Sequence, residues 1–230
     1  MPLWTALIVL LFPTVSWTSA KVTGGTQQMS WFTFTRLAPQ FMASGYGVIL
    51  FGLVAAYLFG REYGEGTAEQ MFTLPMRREY PVIAKTVVLV GWVLALAAFA
   101  AAAQMGWAAV LGLRGFSWPD AVAALRESLG VGVLILGTLP FVALVAMVGR
   151  SYLEPMLFSA MSAMAGLGLA EAGWARWFPW SMPMAVVGFV WLPPFPIAKL
   201  VAGSWWLIAG VFAAGVAALV WYGDRADVAG

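Results

Sequence analysis

Phe51-Gly-Leu-Val-Ala-Ala-Tyr-Leu-Phe-Gly60 runs without a charge into Arg61-Glu-Tyr-Gly-Glu-Gly-Thr-Ala-Glu-Gln-Met-Phe-Thr-Leu-Pro-Met-Arg-Arg-Glu-Tyr-Pro-Val-Ile-Ala-Lys85, and the chain then turns apolar again as far as Leu113. Crossing about 30 Å of hydrocarbon takes about 20 mostly apolar residues, so this stretch reads as one membrane span, a polar connection and a second span. The connection has an internal design. Gly64 and Gly66 permit a tight turn, Thr67 can cap a helix, and Gln70 three residues on completes a Ser/Thr-x-x-Glu/Gln capping box. A short helix begins at Ala68, and Pro75 limits it to about two turns because proline lacks the backbone donor and clashes with the preceding turn. Met71, Phe72 and Leu74 give that helix an apolar patch.

The same alternation continues outward in both directions. Apolar stretches fall at about 2–19, 41–60, 82–113, 129–148, 155–170 and 204–222, which predicts an all-α bundle of six transmembrane helices in a single membrane domain, 1–230. With 62% hydrophobic and 10% charged residues and a mean hydropathy of +0.87, the chain lies far from the usage of soluble domains. Leu3 to Trp17 has no basic leader and no Ala-x-Ala site, so it reads as a span rather than a cleaved signal. The stretch 183–192 is too short to cross, is followed by Pro193, Pro194 and Pro196, and is expected to be re-entrant or interfacial. Just before it Trp174, Trp177, Phe178 and Trp180 surround Arg176, an arrangement expected at the outer headgroup level as an aromatic belt.

Charge decides less. The net charge of +2 comes from 12 basic and 10 acidic residues scattered singly, which gives no basic face for a nucleic acid. Six spans starting from the cytoplasm leave six basic residues on each side. The densest basic group, Arg77 and Arg78 with Lys85, favours a cytoplasmic connection 61–85, with these three anchoring the third span at the inner headgroups by snorkelling. Cysteine and histidine are absent from the sequence, which removes thiol and imidazole chemistry and the usual zinc ligands. A phosphate-binding Gly-x-x-x-x-Gly-Lys-Ser/Thr loop is absent too, so the chain does not bind and hydrolyse ATP by the P-loop mechanism.

Several span residues are candidates for packing or for function. Gln104, Thr138, Ser159 and Ser162 read first as interhelical hydrogen bonds. Gly130, Gly132, Gly137 and Pro140 could kink the fourth span, or simply let helices approach. Met156, Met161 and Met164 read as packing before they read as the lining of a greasy path. The helix after Thr67 has two readings on composition alone. It either docks into a groove of a soluble partner or lies on lipid headgroups.

Two blocks carry a resemblance that bears on that choice. The exit of the second span into Arg61-Glu62, followed by Gly66-Thr67, Leu74-Pro75, Arg78 and Ala84-Lys85, resembles the ABC type-2 permease family, and within it the bacitracin-resistance type of permease. Gly149-Arg-Ser-Tyr-Leu-Glu-Pro155 and Gly173-Trp-Ala-Arg-Trp-Phe-Pro-Trp180 resemble that family's fourth-span exit and aromatic stretch. The resemblance runs over nearly the whole chain. It departs at Met71-Phe72, where leucines are usual, at Glu154, and at the start, where Met1-Pro2-Leu3-Trp4 stands in place of a basic amphipathic segment. It implies a multi-pass cell-membrane permease of an ABC exporter, not itself an enzyme and without a cofactor of its own. A cytoplasmic ABC ATPase and a second permease copy or paralogue are its implied partners. A hydrophobic or amphipathic compound such as a peptide antibiotic is the implied cargo. On this reading the short helix is the coupling helix: Glu62, Thr67, Gln70 and Pro75 shape the loop, and Met71, Phe72 and Leu74 dock the ATPase. A non-transporting sensor or immunity subunit, and a membrane-embedded lipid-modifying enzyme, are the alternatives. The enzyme would need convergent ionisable groups that the spans lack.

Overall fold

The computed structural model describes residues 14, 18, 30–64, 79–188 and 199–225, and everything described is helix or connection. The predicted first span, 2–19, lies outside the described residues except Thr14 and Thr18, where the Thr18 hydroxyl donates to the Thr14 carbonyl one turn earlier. The predicted coupling helix lies outside them as well. We number the helices α1 (Trp31–Thr35), α2 (Leu37–Phe41), α3 (Gly47–Gly64), α4 (Glu79–Val110), α5 (Trp118–Leu136), α6 (Leu139–Gly149), α7 (Leu153–Leu169), α8 (Met182–Val187) and α9 (Ala202–Arg225). Among the described residues four helical runs are long and apolar enough to cross a membrane: Trp31–Glu62, Glu79–Val110, Leu153–Trp174 and Ala202–Arg225. The pair α5 and α6, bent by 40°, makes a fifth if it is one span.

Two spans start earlier than their apolar runs. The second opens at Trp31 instead of residue 41, with Ser30 capping it by accepting from the Thr33 amide at 3.2 Å. The fourth opens at Trp118 instead of residue 129. Ser117 accepts from the Asp120 amide at 3.2 Å and donates to its carboxylate at 2.6 Å, and Pro119 sits in the first turn. The third, fifth and sixth spans lie within a few residues of the ranges expected. At about 1.5 Å per residue the 32 residues of α4 are about 48 Å long, so it outreaches the hydrocarbon.

Both early-starting spans are also broken. Between α2 and α3 the turn Met42–Tyr46 is wound as a π-helix in which Gly45 takes φ +104°. Between α5 and α6 the helix stops at Gly137 and Thr138, and Pro140 opens the next segment. The breaks are neighbours. A Cβ on Gly47 would stand 2.8 Å from Ile135 Cδ1, and one on Gly137 would stand 2.3 Å from Ile208 of α9.

The core runs between α3, α4, α5 and α6, with Ala163 of α7 and Leu219 of α9 closing it. Its closest approach is at Gly52, where a Cβ would lie 2.2 Å from Ser159 Oγ of α7. Gly132 meets Ala97 of α4 in the same manner, whereas Gly130 faces open space. Met156, Met161 and Met164 are exposed on the outer side of α7. Helix α8, in the stretch expected to be re-entrant or interfacial, buries Met182, Pro183 and Met184, and Met182 packs against Leu134 and Ile208.

Candidate functional site

The ends of α3 and α4 that flank residues 65–78 are tied directly. Lys85 Nζ donates to Glu62 Oε2 at 2.5 Å across 23 residues of chain, with side-chain exposures of 19% and 26%. The ammonium also lies 5.6 Å from the centre of the Phe59 ring. Lys85 therefore turns to α3, and Glu62 closes the base of the polar connection. Arg61 stacks over Tyr57 at 5.7 Å, and Tyr57 in turn lies parallel to Tyr152 at 6.5 Å.

Tyr152 belongs to the turn between α6 and α7, which is folded against the same end. Arg150 caps α6 in the left-handed region at φ +50°, and Ser151 donates to Glu154. A Cβ on Gly60 would stand 3.4 Å from the Ser151 carbonyl. This is where the two sequence blocks meet: the second-span exit, through Tyr57 and Gly60, lies against Ser151 and Tyr152, far apart in the chain and side by side in the fold. The end of α9 joins them. Gly223 packs on Val82, and Arg225 covers Trp221 at 4.4 Å. Thr67, Gln70, Met71, Phe72, Leu74, Pro75, Arg77 and Arg78 fall outside the described residues.

The aromatic cluster splits in two. Trp174 and Trp177 are 59% and 49% exposed, on the π-turn Ala170–Trp174 and the turn after it. Phe178 and Trp180 turn inward, with their rings 5.4 Å apart. Trp180 reaches between α6 and α7 to Phe141 at 6.5 Å and Phe158 at 6.1 Å, and its backbone crosses α7 where Gly166 leaves room.

At the opposite end of the bundle is an ion pair that sequence reading did not anticipate. Arg36, between α1 and α2, donates to Glu127 of α5, with side-chain exposures of 39% and 16%, and lies 4.5 Å over the Phe32 ring. Gln104, fully buried in α4, donates to the Phe34 carbonyl at 2.9 Å, an interhelical bond of the kind expected for it. Lys85 and Gln104 are separated by 19 positions of one helix, or about 28 Å. That is close to one hydrocarbon thickness. The only local signal for Arg36–Glu127 was the capping sequence at Ser117–Asp120, which carries α5 past residue 127.

Among the described residues there is no cluster of metal-binding side chains.

No solved structure matches the chain. Bacitracin transport permease protein BCRB of Bacillus licheniformis is 23% identical over 182 residues, covering 79% of this chain and 86% of the relative. Residues 1–166 match the family described as ABC-2 family transporter protein. With helices that repeatedly satisfy the length and hydropathy of spans, and with two sequence blocks joined at one end, this chain is a multi-pass membrane protein belonging to the ABC-2 transporter family.

Proposed function

We propose that the chain is the membrane-spanning subunit of an ABC exporter, driven by a separate cytoplasmic ATPase through residues 67–74. The Glu62–Lys85 pair carries the reading. Because it clamps the two ends of the polar connection, a push on that connection moves α3 and α4 together instead of spreading the loop. Tyr57 on Tyr152, and Gly60 on Ser151, pass the displacement to the turn before α7. Met71, Phe72 and Leu74 supply the apolar docking patch, and Arg77 and Arg78 hold the start of the third span at the inner headgroups. The end bearing Lys85 is then cytoplasmic, and ATP binding by the partner shifts the bundle between inward- and outward-facing states by favouring one of them. A second permease copy completes the pathway. The cargo is a hydrophobic or amphipathic compound of the peptide-antibiotic type, in keeping with the bacitracin transport for which the relative is named.

The test is reconstitution of the chain with its ATPase in lipid vesicles. Met71→Asp with Phe72→Asp should abolish permease-dependent ATP hydrolysis without changing the expression level of the chain. Unchanged hydrolysis, or failure of the wild-type chain to associate with the ATPase, would falsify the coupling role. Resistance conferred on cells without measurable efflux would replace the exporter by a sensing subunit.

A further inference from the structure

Buried hydroxyls in these spans follow a common habit: Thr35 donates to the Trp31 carbonyl at 3.0 Å, Thr86 to Val82 at 2.8 Å and Ser159 to Pro155 at 2.8 Å, each one helical turn back. Thr138 and Ser181 likewise donate to carbonyls three residues back, and Ser204 accepts from the Val201 amide. Ser128, fully buried on α5, does none of this, and its hydroxyl meets no partner. It is not isolated in that respect. Of the four buried side-chain polar atoms without a partner among the described residues, three are Ser128 Oγ, Gln104 Oε1 and Arg36 Nε.

These three lie in one junction. Gln104 is bonded to Phe34, two residues before Arg36; Arg36 is bonded to Glu127; and Glu127 adjoins Ser128. The circuit closes across α4 and α5. Gly132 packs on Ala97, and Ala108 and Ala121 share one apolar cluster, which fixes an antiparallel register. In that register Ser128 stands opposite Ala101, one turn from Gln104. The unpartnered set comprises an acceptor, a donor and a hydroxyl that can serve as either. Buried polar groups of this mixed kind find partners in ordered water, which donates and accepts and typically makes about three hydrogen bonds.

We propose that the junction of α1, α2, α4 and α5 is a water-binding site, holding one or more ordered waters among Gln104 Oε1, Ser128 Oγ and Arg36 Nε. The water sits behind the Arg36–Glu127 pair, so both members of this pair are solvated from inside the protein as well as from outside. Solvation from both faces lets Arg36 and Glu127 separate without leaving either charge dry, which makes this ion pair a contact that can open.

Hydroxyl-radical footprinting of the full chain in lipid nanodiscs tests the site, because radicals formed from bound water oxidise side chains that bulk water does not reach. Phe34, Phe51 and Phe59 are all fully buried and chemically alike. Phe34 should be oxidised several-fold faster than Phe51 and Phe59, with the exposed Phe32 as the reference for bulk water. Ser128→Ala with Gln104→Met should bring Phe34 down to the rate of Phe51 while leaving Phe32 unchanged. Equal protection of all three phenylalanines in the wild-type chain overturns the proposal. So does a Phe34 rate that survives the double substitution while Phe51 and Phe59 stay protected. If the double variant unfolds, Phe51 and Phe59 gain label, and the wild-type comparison alone decides.

Discussion

The two ion pairs at opposite ends of the bundle differ in what surrounds them. Glu62–Lys85 joins two spans consecutive in the chain, presents both side chains less than one-third exposed, and has the Phe59 ring against its ammonium. Arg36–Glu127 joins residues 91 positions apart, is more open on the arginine side, and adjoins three buried polar atoms without protein partners. One end is stitched between consecutive spans, the other bridged beside buried polar atoms that lack protein partners. Similar side-chain chemistry thus makes a clamp in one place and a separable contact in the other. The surroundings decide it, because an ion pair's net worth is set by what its desolvation costs.

Four substitutions would break or sharpen that contrast. The largest effect is expected at Gly52→Val, where the helices come closest: with Ser159 Oγ 2.2 Å from the new Cβ, α3 and α7 must part. The cost should be about 3 kcal/mol, at the upper end for overpacking, read as a lower thermal midpoint and loss of a monodisperse peak in detergent. Lys85→Met comes next. It removes a charge-assisted hydrogen bond to the Glu62 carboxylate, for about 1–3 kcal/mol, and the exchanged pair Glu62→Lys with Lys85→Glu should recover most of it in a double-mutant cycle. No recovery would mean that the clamp is not an ion pair. Arg36→Met should cost less, below about 1 kcal/mol, and the difference from wild type should shrink as salt is raised. If it matched the Lys85 effect, the two ends would not differ as described. Smallest is Trp180→Phe, which keeps an aromatic ring between Phe141 and Phe158 and removes the one unpartnered buried donor outside the polar junction among the described residues. The lost ring area is offset by release of that donor, so the midpoint should move by less than about 1 kcal/mol. A larger loss would show that the indole N–H is satisfied in the membrane.

Much of the helical plan was legible because span signals are local: composition, length, and proline or glycine punctuation. The starts of the second and fourth spans were not. Thr35, Arg36 and Gln40 look like loop residues, as do Asp120, Arg126 and Glu127, until Arg36 and Glu127 are seen to neutralise one another across 91 residues. No periodicity within either segment contains that information. Ser117-Trp-Pro-Asp120 was a readable cap, and giving it weight would have moved the fourth span to its observed start. Gly130, Gly132, Gly137 and Pro140 were read as either a kink or close packing; the helix bends at Gly137 and Pro140, while Gly132 packs on Ala97. At the loop end both motif blocks could be seen in the sequence. Their meeting through Tyr57 and Tyr152 could not, since aromatic stacking between distant segments leaves no trace in spacing. Trp180 was grouped with Trp174 because composition cannot tell a headgroup tryptophan from one that fills a gap beside Gly166.

The breaks at Gly45 and Gly137 stand beside one another, as the contact of Gly47 with Ile135 shows. A continuous helix is a lever: tilt one end and the other swings by the same angle. Two neighbouring spans interrupted at one level are instead a knee. Flexing there forfeits few backbone hydrogen bonds, because the regular ladder is already interrupted at that depth. Movement entering at the Tyr57–Tyr152 end can therefore be absorbed, redirected or amplified at mid-depth before it reaches Arg36.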